Sequence, residues 1–155
     1  MPDLMESLAT PLAAAAAETL EQLAYLFAEP AAADGVATED VDGIVALAFH
    51  GPAHGALILQ LSGGILPALA SNMLGLDGAP SLPDQRDALG EVANVICGNV
   101  LPRIAGATAV FALGVPTPYP SWPVATEALG GVAAEVHLDV EGGRADIALV
   151  VHPAA

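Results

Sequence analysis

The sequence predicts an α+β domain of two layers, in which a mostly antiparallel sheet of about five strands packs against long helices. An alanine-rich segment with helical character opens the chain, and two further helical segments lie in its middle. Apolar runs come in pairs joined by glycine-containing turns, which is typical of antiparallel hairpins. The 155 residues are enough for a hydrophobic core, so we expect a single domain over residues 1–155 with its core at about 40–152.

Three helices are predicted, and each has a residue that can end it. They cover residues 3–29, Ile65 to Leu74, and Asp84 to about Leu101. Pro30 stops the first because proline cannot donate the helical hydrogen bond, and Gly75 can terminate the second. Pro102 marks either the end of the third helix or a kink in it.

Five strands are predicted from short, largely apolar runs. They cover residues 44–50, 56–61, 107–113, 132–140 and 145–152. The segment 51–55 has the residues of a hairpin loop between the first two strands, and Glu141–Arg144 has those of a turn between the last two. A proline-rich loop is expected at Gly114–Pro123.

Charge and hydropathy exclude several classes of function. The net charge is −15, from 18 acidic residues against three arginines and no lysine, so nucleic acid and membrane surfaces are poor partners. No apolar run reaches the roughly 18 residues of a membrane span, and the apolar segment near the N-terminus has no basic region before it. We therefore expect a cytoplasmic protein. The single cysteine, Cys97, excludes an intrachain disulfide and is interpreted as a core thiol.

The histidines and glycine pairs do not form a recognisable catalytic or metal-binding motif. His50 and His54 are four residues apart, but a Gly-Pro pair separates them, so both are interpreted as loop histidines rather than metal ligands. His137 and His152 share no spacing. The glycines at 63–64 precede a helix and could bind an anion, yet the rest of a phosphate loop is missing, so we predict a turn.

One face of the third helix carries the residues on which the functional prediction depends. At about 100° per residue, one sector contains Asp87, Glu91, Asn94 and Gly98. The opposite side is apolar and predicted to be buried; it carries Leu89, Val92, Ala93, Ile96 and Val100. A solvated face is the ordinary explanation of such a pattern. Asparagine is a poor helix-interior residue, however, and its amide can donate to and accept from one water. A glutamate and an asparagine one turn apart could position a nucleophilic water for an electrophile that a metal elsewhere activates.

The segment EVANVICGN, residues 91–99, resembles the signature of the CheC/CheX/FliY group of chemotaxis phosphatases. The fuller pattern of that family is an Asp or Ser, three residues, Glu, two residues, Asn, and a proline a little over twenty residues later. The matching residues are Asp87, Glu91 and Asn94, with Pro116 and Pro118 on either side of the expected proline. The resemblance covers about residues 40–150, and the single copy of the motif is similar to the CheX type.

The resemblance implies a two-layer α/β domain that forms a homodimer through its sheets. It also implies removal of phosphate from the aspartyl-phosphate of a CheY-like receiver domain of a response regulator. In that role Glu91 pairs with a basic residue of the receiver, and Asn94 orients a water in line with the phosphorus. Asp87 and Gly98 are then expected in the surface that contacts the partner. The protein would need no cofactor of its own, because the receiver would supply Mg²⁺.

Other functions stay open from the sequence alone. The same face could dock a receiver, or a chemotaxis or motor component, without hydrolysis, as in a dimeric adaptor. A small-molecule sensor is a further alternative, because an apolar chain can enclose a pocket, although no residue indicates a ligand. Gly90 also stands within the helix at a cost of about 1 kcal/mol relative to alanine, and nothing in the sequence explains it.

Overall fold

The computed structural model describes residues 4–32 and 35–153, and within them four helices and one sheet of seven strands. The helices are α1 (Leu4–Ala24), α2 (Ile65–Leu74), α3 (Leu82–Ala105) and α4 (Trp122–Ala128). The strands are β1 (Ala28–Pro30), β2 (Val41–His50), β3 (Ala53–Ser62), β4 (Ala112–Leu113), β5 (Thr117–Pro118), β6 (Ala134–Val140) and β7 (Gly143–Pro153). The predicted α+β class is confirmed, with seven strands instead of about five.

The sheet is built from the two predicted hairpins joined side by side. Its order is β1-β6-β7-β3-β2-β4, β5 also pairs with β2, and the described pairings are antiparallel. The two residues between β6 and β7, Glu141 and Gly142, both have positive φ angles, of 42° and 89°. Such a pair forms the tight turn whose twist matches antiparallel strands. This turn sets the register in which His137 lies opposite Asp146.

Helices α1, α2 and α3 cover one face of the sheet and form the main core with it. The apolar residues predicted for the buried side of α3 are all buried, and they pack in a cluster that includes Val45, Leu47, Leu57 and Leu59 of β2 and β3. Each leucine, isoleucine or valine side chain in this set contributes about 1.5–3 kcal/mol when fully buried. The packing therefore fixes the rotation of α3 and directs its polar side away from the core.

The opposite face of the sheet is covered in part by α4, which the sequence analysis did not predict. Ala125 of this helix is buried with Trp122 and Leu129 against Ile44 and Ile58 of the sheet. Ser121 caps the helix, because its Oγ accepts from the backbone N–H of Val124 at 3.3 Å. The strands β2, β3 and β7 are thus covered on both sides over part of their length.

The first helix is shorter than the predicted span of 3–29. It ends at Ala24 because Tyr25 adopts a left-handed conformation with φ 55°. The chain then turns, and Ala28–Pro30 pairs with β6 instead of continuing the helix. Pro30 is therefore an edge-strand residue rather than the residue that stops the helix. The predicted start at residue 3 lies outside the described residues.

The third helix is longer than predicted and continues through Pro102 to Ala105. A proline at 102 cannot donate to the carbonyl of Gly98, but Gly98 is exposed, so that carbonyl can bond to water. The predicted strand 107–113 is reduced to Ala112–Leu113. Residues 106–109 instead form a turn, in which the backbone N–H of Ala109 donates to the carbonyl of Gly106 at 3.2 Å.

Candidate functional site

The polar face of α3 is open to solvent. Asp87, Glu91 and Gly98 are exposed and Asn94 is half-buried. A capping box fixes where the helix begins. The N–H of Asp84 donates to Ser81 Oγ at 3.1 Å, and the N–H of Ser81 donates to Asp84 Oδ2 at 3.4 Å. The cap fixes the start of α3 and the buried apolar side fixes its rotation, so the four predicted site residues lie along one side of the helix.

A groove of about 510 Å³ runs along part of this face. Its helical wall contains Arg86, Asp87, Leu89, Gly90, Glu91 and Asn94. The facing wall is the loop 114–116 with Pro118, and Ile44 and Val45 of β2 complete the lining. The structure thus brings Asp87, Glu91 and Asn94 together in one groove. Gly98 lies one turn beyond Asn94 and does not line it.

The two asparagines of α3 have different surroundings. Asn99 Nδ2 donates to Thr19 Oγ1 of α1 at 3.2 Å, and Thr19 is fully buried. Among the side-chain hydrogen bonds of the part of the chain that the structure describes, none involves Asn94. The donor and the acceptor of the Asn94 carboxamide are therefore both available to a water or a partner.

A close approach of the facing loop explains the glycine at position 90. A Cβ atom there would lie 3.2 Å from Cβ and 3.3 Å from Cγ of Pro116. Of the two prolines that could match the signature, Pro116 is thus the one that lies against Gly90. Pro118 pairs with Val45 in β5. The glycine removes the side chain that would otherwise hold the loop away from the helix.

The edge of the sheet holds this loop in place. The N–H of Gly114 donates to the carbonyl of Ala48 at 2.8 Å, and that of Tyr119 donates to the carbonyl of Ile44 at 3.0 Å. The short strands β4 and β5 also pair with β2 on either side of Pro116. Between them, Val115 is 83% exposed and puts apolar surface at the rim of the groove. The sheet edge therefore supports the loop wall of the groove, which is apolar, while the polar side chains lie on the helical wall.

Alanine substitutions at the two glycines of α3 should have different effects on stability. Gly98→Ala adds a methyl group to open space and should stabilise the protein by about 0.8–1 kcal/mol through helix propensity. Gly90→Ala has the same gain but presses on Pro116, so we expect little or no stabilisation. Chemical denaturation of both variants measures the difference. Equal stabilisation by the two substitutions would contradict the proposed role of Gly90.

The N-terminus of α2 does not present a vacant anion site. Asp42 of β2 accepts from the N–H of Gly64 at 2.9 Å through Oδ1 and from the N–H of Leu66 at 3.1 Å through Oδ2. The carboxylate of this chain therefore occupies the place where the glycine pair could have bound an anion. The turn predicted at residues 63–64 is present.

The histidines predicted to lie in a loop are at the ends of strands. His50 and His54 face each other across the β2–β3 hairpin, and His54 also faces His152 of β7. The ring centroids of His54 and His152 are 5.3 Å apart. Within residues 4–32 and 35–153, no group of three His, Cys, Asp or Glu side chains is arranged to hold a metal ion.

Cys97 is a core residue, as its apolar context indicated. Burial raises the pKa of its thiol from 9.0 to about 12, so the thiol is protonated at neutral pH. The thiol's contribution to folding stability is fully present below about pH 9 and is lost as the pH rises toward 12. We expect iodoacetamide to modify Cys97 only in denaturant, which mass spectrometry would show. Rapid modification of the native protein at pH 7 would contradict this assignment.

Sequence reasoning missed a polar cluster on the sheet face opposite α3. Asp146 is fully buried there, and its Oδ1 lies 2.6 Å from His137 Nδ1 and 3.1 Å from Arg144 Nε. Its Oδ2 accepts from Gln60 Nε2 at 3.2 Å and from the N–H of Ala37 at 3.1 Å. The cluster ties the segment around Ala37 to the sheet.

The same cluster extends to Glu135 at its outer end. His137 Nε2 is 3.1 Å from Glu135 Oε2, so each ring nitrogen faces a carboxylate oxygen. The His137 ring therefore links Glu135 to the buried Asp146, which Arg144 also contacts. The two-residue turn between β6 and β7 fixes the pairing of these strands, so it could have been used to place His137 opposite Asp146.

None of the described helices is both long and apolar enough to cross a membrane. Several solved structures that resemble the chain in fold are of chemotaxis proteins. The family model described as chemotaxis phosphatase CheX matches residues 43–135. Among curated protein sequences, none matches.

Solved structures of several such proteins share the fold. CheX from Vibrio vulnificus has a TM-score of 0.69 at 18% identity, over 92% of this chain and 95% of that one. A chemotaxis protein from Desulfovibrio vulgaris Hildenborough has a TM-score of 0.68 at 21% identity, over 92% and 95%. The CheX–CheY–BeF3–Mg²⁺ complex from Borrelia burgdorferi gives a TM-score of 0.63 at 17% identity, over 92% and 96%. Because the family model covers more than half of the sequence, the chain belongs to the CheX family of chemotaxis phosphatases.

Proposed function

We propose that this protein hydrolyses the aspartyl-phosphate of a CheY-like receiver domain in the groove beside α3. The observation that carries the proposal is the pair of Glu91 and Asn94, one turn apart and accessible in a groove that Pro116 closes on its other side. Membership in a family of chemotaxis phosphatases supports it. So does the similar fold of a CheX that was solved together with CheY, BeF3 and Mg²⁺.

Asn94 has the chemistry to orient the attacking water. Its carboxamide can accept one hydrogen bond from the water and donate another, which fixes the water without removing a proton. The water oxygen bonds to phosphorus as the bond between phosphorus and the aspartyl oxygen breaks. The products are the free aspartate carboxylate, inorganic phosphate and one proton. Positioning is sufficient help for such a reaction, because phosphoryl transfer depends mainly on alignment and charge stabilisation.

Glu91 and its neighbours would hold the receiver in the orientation that this reaction needs. The exposed Glu91 carboxylate would pair with a basic residue of the receiver. Asp87 lies one turn before it and Gly98 one turn after Asn94, so both would lie in the contact surface. Gly98 has open space around it, which would allow a partner to approach the helix backbone closely.

The metal ion in this proposal belongs to the receiver. Mg²⁺ bound there would neutralise charge that develops on the phosphoryl oxygens. The groove of this chain offers two exposed carboxylates beside a carboxamide and an arginine, a set suited to contacts with a partner's groups. We propose no cofactor for this protein itself.

The oligomeric state and the cellular location of this protein are also predictions. A homodimer is expected from the family resemblance. A cytoplasmic location is likewise an expectation from the sequence. Neither affects the chemistry proposed for the groove.

Decay of a phosphorylated receiver tests the proposal. The CheY-type receivers of the same organism are phosphorylated with acetyl phosphate, freed of it, and followed with a tenth of an equivalent of this protein. We expect faster decay of at least one receiver over many turnovers. Saturable binding without faster decay would favour the adaptor instead. Neither binding nor faster decay with any receiver would overturn both functions.

A further inference from the structure

We propose that Arg86 determines which receivers this protein accepts, by pairing with a carboxylate at the rim of the receiver's phosphorylated site. This inference rests on the proposed function and adds a specificity residue to the same groove. It follows from the charges of the described residues, from the helical geometry of α3, and from the chemistry of the guanidinium group.

Arg86 differs from the other two arginines of the chain in its surroundings. Arg103 pairs with Glu18 across α1 and α3, and Arg144 pairs with Asp146 in the polar cluster. Arg86 is exposed, and among the described residues it takes part in no ion pair or side-chain hydrogen bond. It lines the groove. In a chain of net charge −15, it is the only cation among the groove-lining residues.

The position of Arg86 on the helix directs it into the groove. It precedes Gly90 by one turn, so the two residues lie on the same side of α3. Gly90 is the position at which Pro116 approaches the helix. The guanidinium therefore lies on the side of α3 that faces the loop, beside the line of Asp87, Glu91 and Asn94 rather than on it.

Distance along the helix places Arg86 at the rim rather than at the phosphorus. It lies eight residues before Asn94, which is about 12 Å along the axis at 1.5 Å per residue. The two side chains also diverge by about 80° around the helix. Helical side chains lean toward the N-terminus, which takes the guanidinium further from Asn94. The Arg86 guanidinium therefore cannot directly reach a water that Asn94 orients at the phosphorus.

A carboxylate is the receiver group that fits a guanidinium in this position. The planar fork of arginine binds carboxylates through two parallel hydrogen bonds, so the pairing has a defined geometry. The other two charged residues that line the groove, Asp87 and Glu91, are acidic and would repel an acidic residue of the receiver. A receiver with a basic residue opposite Glu91 and an acidic one opposite Arg86 would therefore dock in a single orientation. A receiver without that acidic residue would bind more weakly.

The test compares Arg86→Gln with Arg103→Gln, which removes the same charge from the same helix outside the groove. A fluorescence titration measures the Kd of each variant for the CheY-type receiver of the same organism loaded with BeF3 and Mg²⁺. The decay assay gives KM and kcat. We expect Arg86→Gln to raise Kd and KM by about fivefold and to weaken their salt dependence, with kcat within about twofold of the wild type. Arg103→Gln should leave all of these values near those of the wild type.

The outcomes separate this inference from the proposed function. Equal Kd values for the two variants would overturn the role of Arg86, even if the wild-type protein is an active phosphatase. A fall in kcat at unchanged KM would overturn it as well, because it would place the guanidinium at the phosphoryl group. If the wild type binds without hydrolysis, the proposed catalysis fails while the Kd comparison still decides the role of Arg86. A wild type that does not bind overturns both.

Discussion

Asn94→Ala should lower kcat for receiver dephosphorylation by roughly a hundredfold or more, with little change in Kd for the receiver. Loss of the carboxamide leaves the attacking water without a fixed position, and positioning is the contribution we assign to this residue. The side chain makes no hydrogen bond to another described residue, so its truncation should leave the melting temperature close to the wild-type value. Single-turnover decay of the phosphorylated receiver at saturating protein measures the effect.

Asn99→Ala is the matched control, since it removes the same side chain from the same helix five residues later. Asn99 donates to Thr19 of α1, and its loss leaves a buried hydroxyl without this partner. We expect a loss of about 1–3 kcal/mol in the free energy of unfolding and an unchanged kcat. A comparable fall in kcat for both asparagine variants would show that the assay reports on the integrity of the helix and not on Asn94.

Of the substitutions proposed, Asp146→Ala should destabilise the protein most, with a loss of about 3–5 kcal/mol in the free energy of unfolding. The substitution removes one fully buried carboxylate that the side chains of Arg144, Gln60 and His137 and the N–H of Ala37 all approach. The guanidinium and the amide groups would stay partly buried without their partner. Urea denaturation followed by circular dichroism measures the loss.

Asp139→Ala is the control for this prediction. Asp139 lies on the neighbouring strand, and its Oδ2 accepts from the N–H of Ala32 at 3.2 Å in an exposed setting. Its removal should cost about 1 kcal/mol or less. Because Asp146 lies on the sheet face opposite α3, kcat of Asp146→Ala at temperatures where it is folded should match the wild type. Equal losses of stability for the two variants would remove the basis for treating the Asp146 cluster as a main support of the fold.

The helical face was predictable from the sequence because helical periodicity depends only on local spacing. Asp87, Glu91 and Asn94 are brought together by the helix alone, and the buried side of α3 is apolar at every predicted position. Strong local signals also placed α2, with Gly75 in a left-handed conformation at its end. Where one short segment determines a feature, the sequence was sufficient to predict it.

Features that depend on two distant segments were not predictable in the same way. The contact of Gly90 with Pro116 depends on the pairing of a short loop with the edge of β2, and the sequence left two candidate prolines. Arg86 could be assigned to the groove only after that loop was placed. Helix α1 is shorter than predicted because Ala28–Pro30 pairs with β6. This tertiary contact overrides the local helix propensity of the segment. The proline-containing α4 is stabilised by its packing on the sheet.

A crystal structure of this protein bound to its receiver, loaded with BeF3 and Mg²⁺, would show whether Asn94 acts at the phosphorylated aspartate. BeF3 stands in for the phosphoryl group of the aspartate. We expect α3 to face the receiver and the Asn94 carboxamide to lie within about 3 Å of a water in line with the beryllium–oxygen bond. Glu91 should contact a basic residue of the receiver. A complex in which the receiver binds another surface, with Asn94 exposed to bulk solvent, would rule out the proposed role of Asn94.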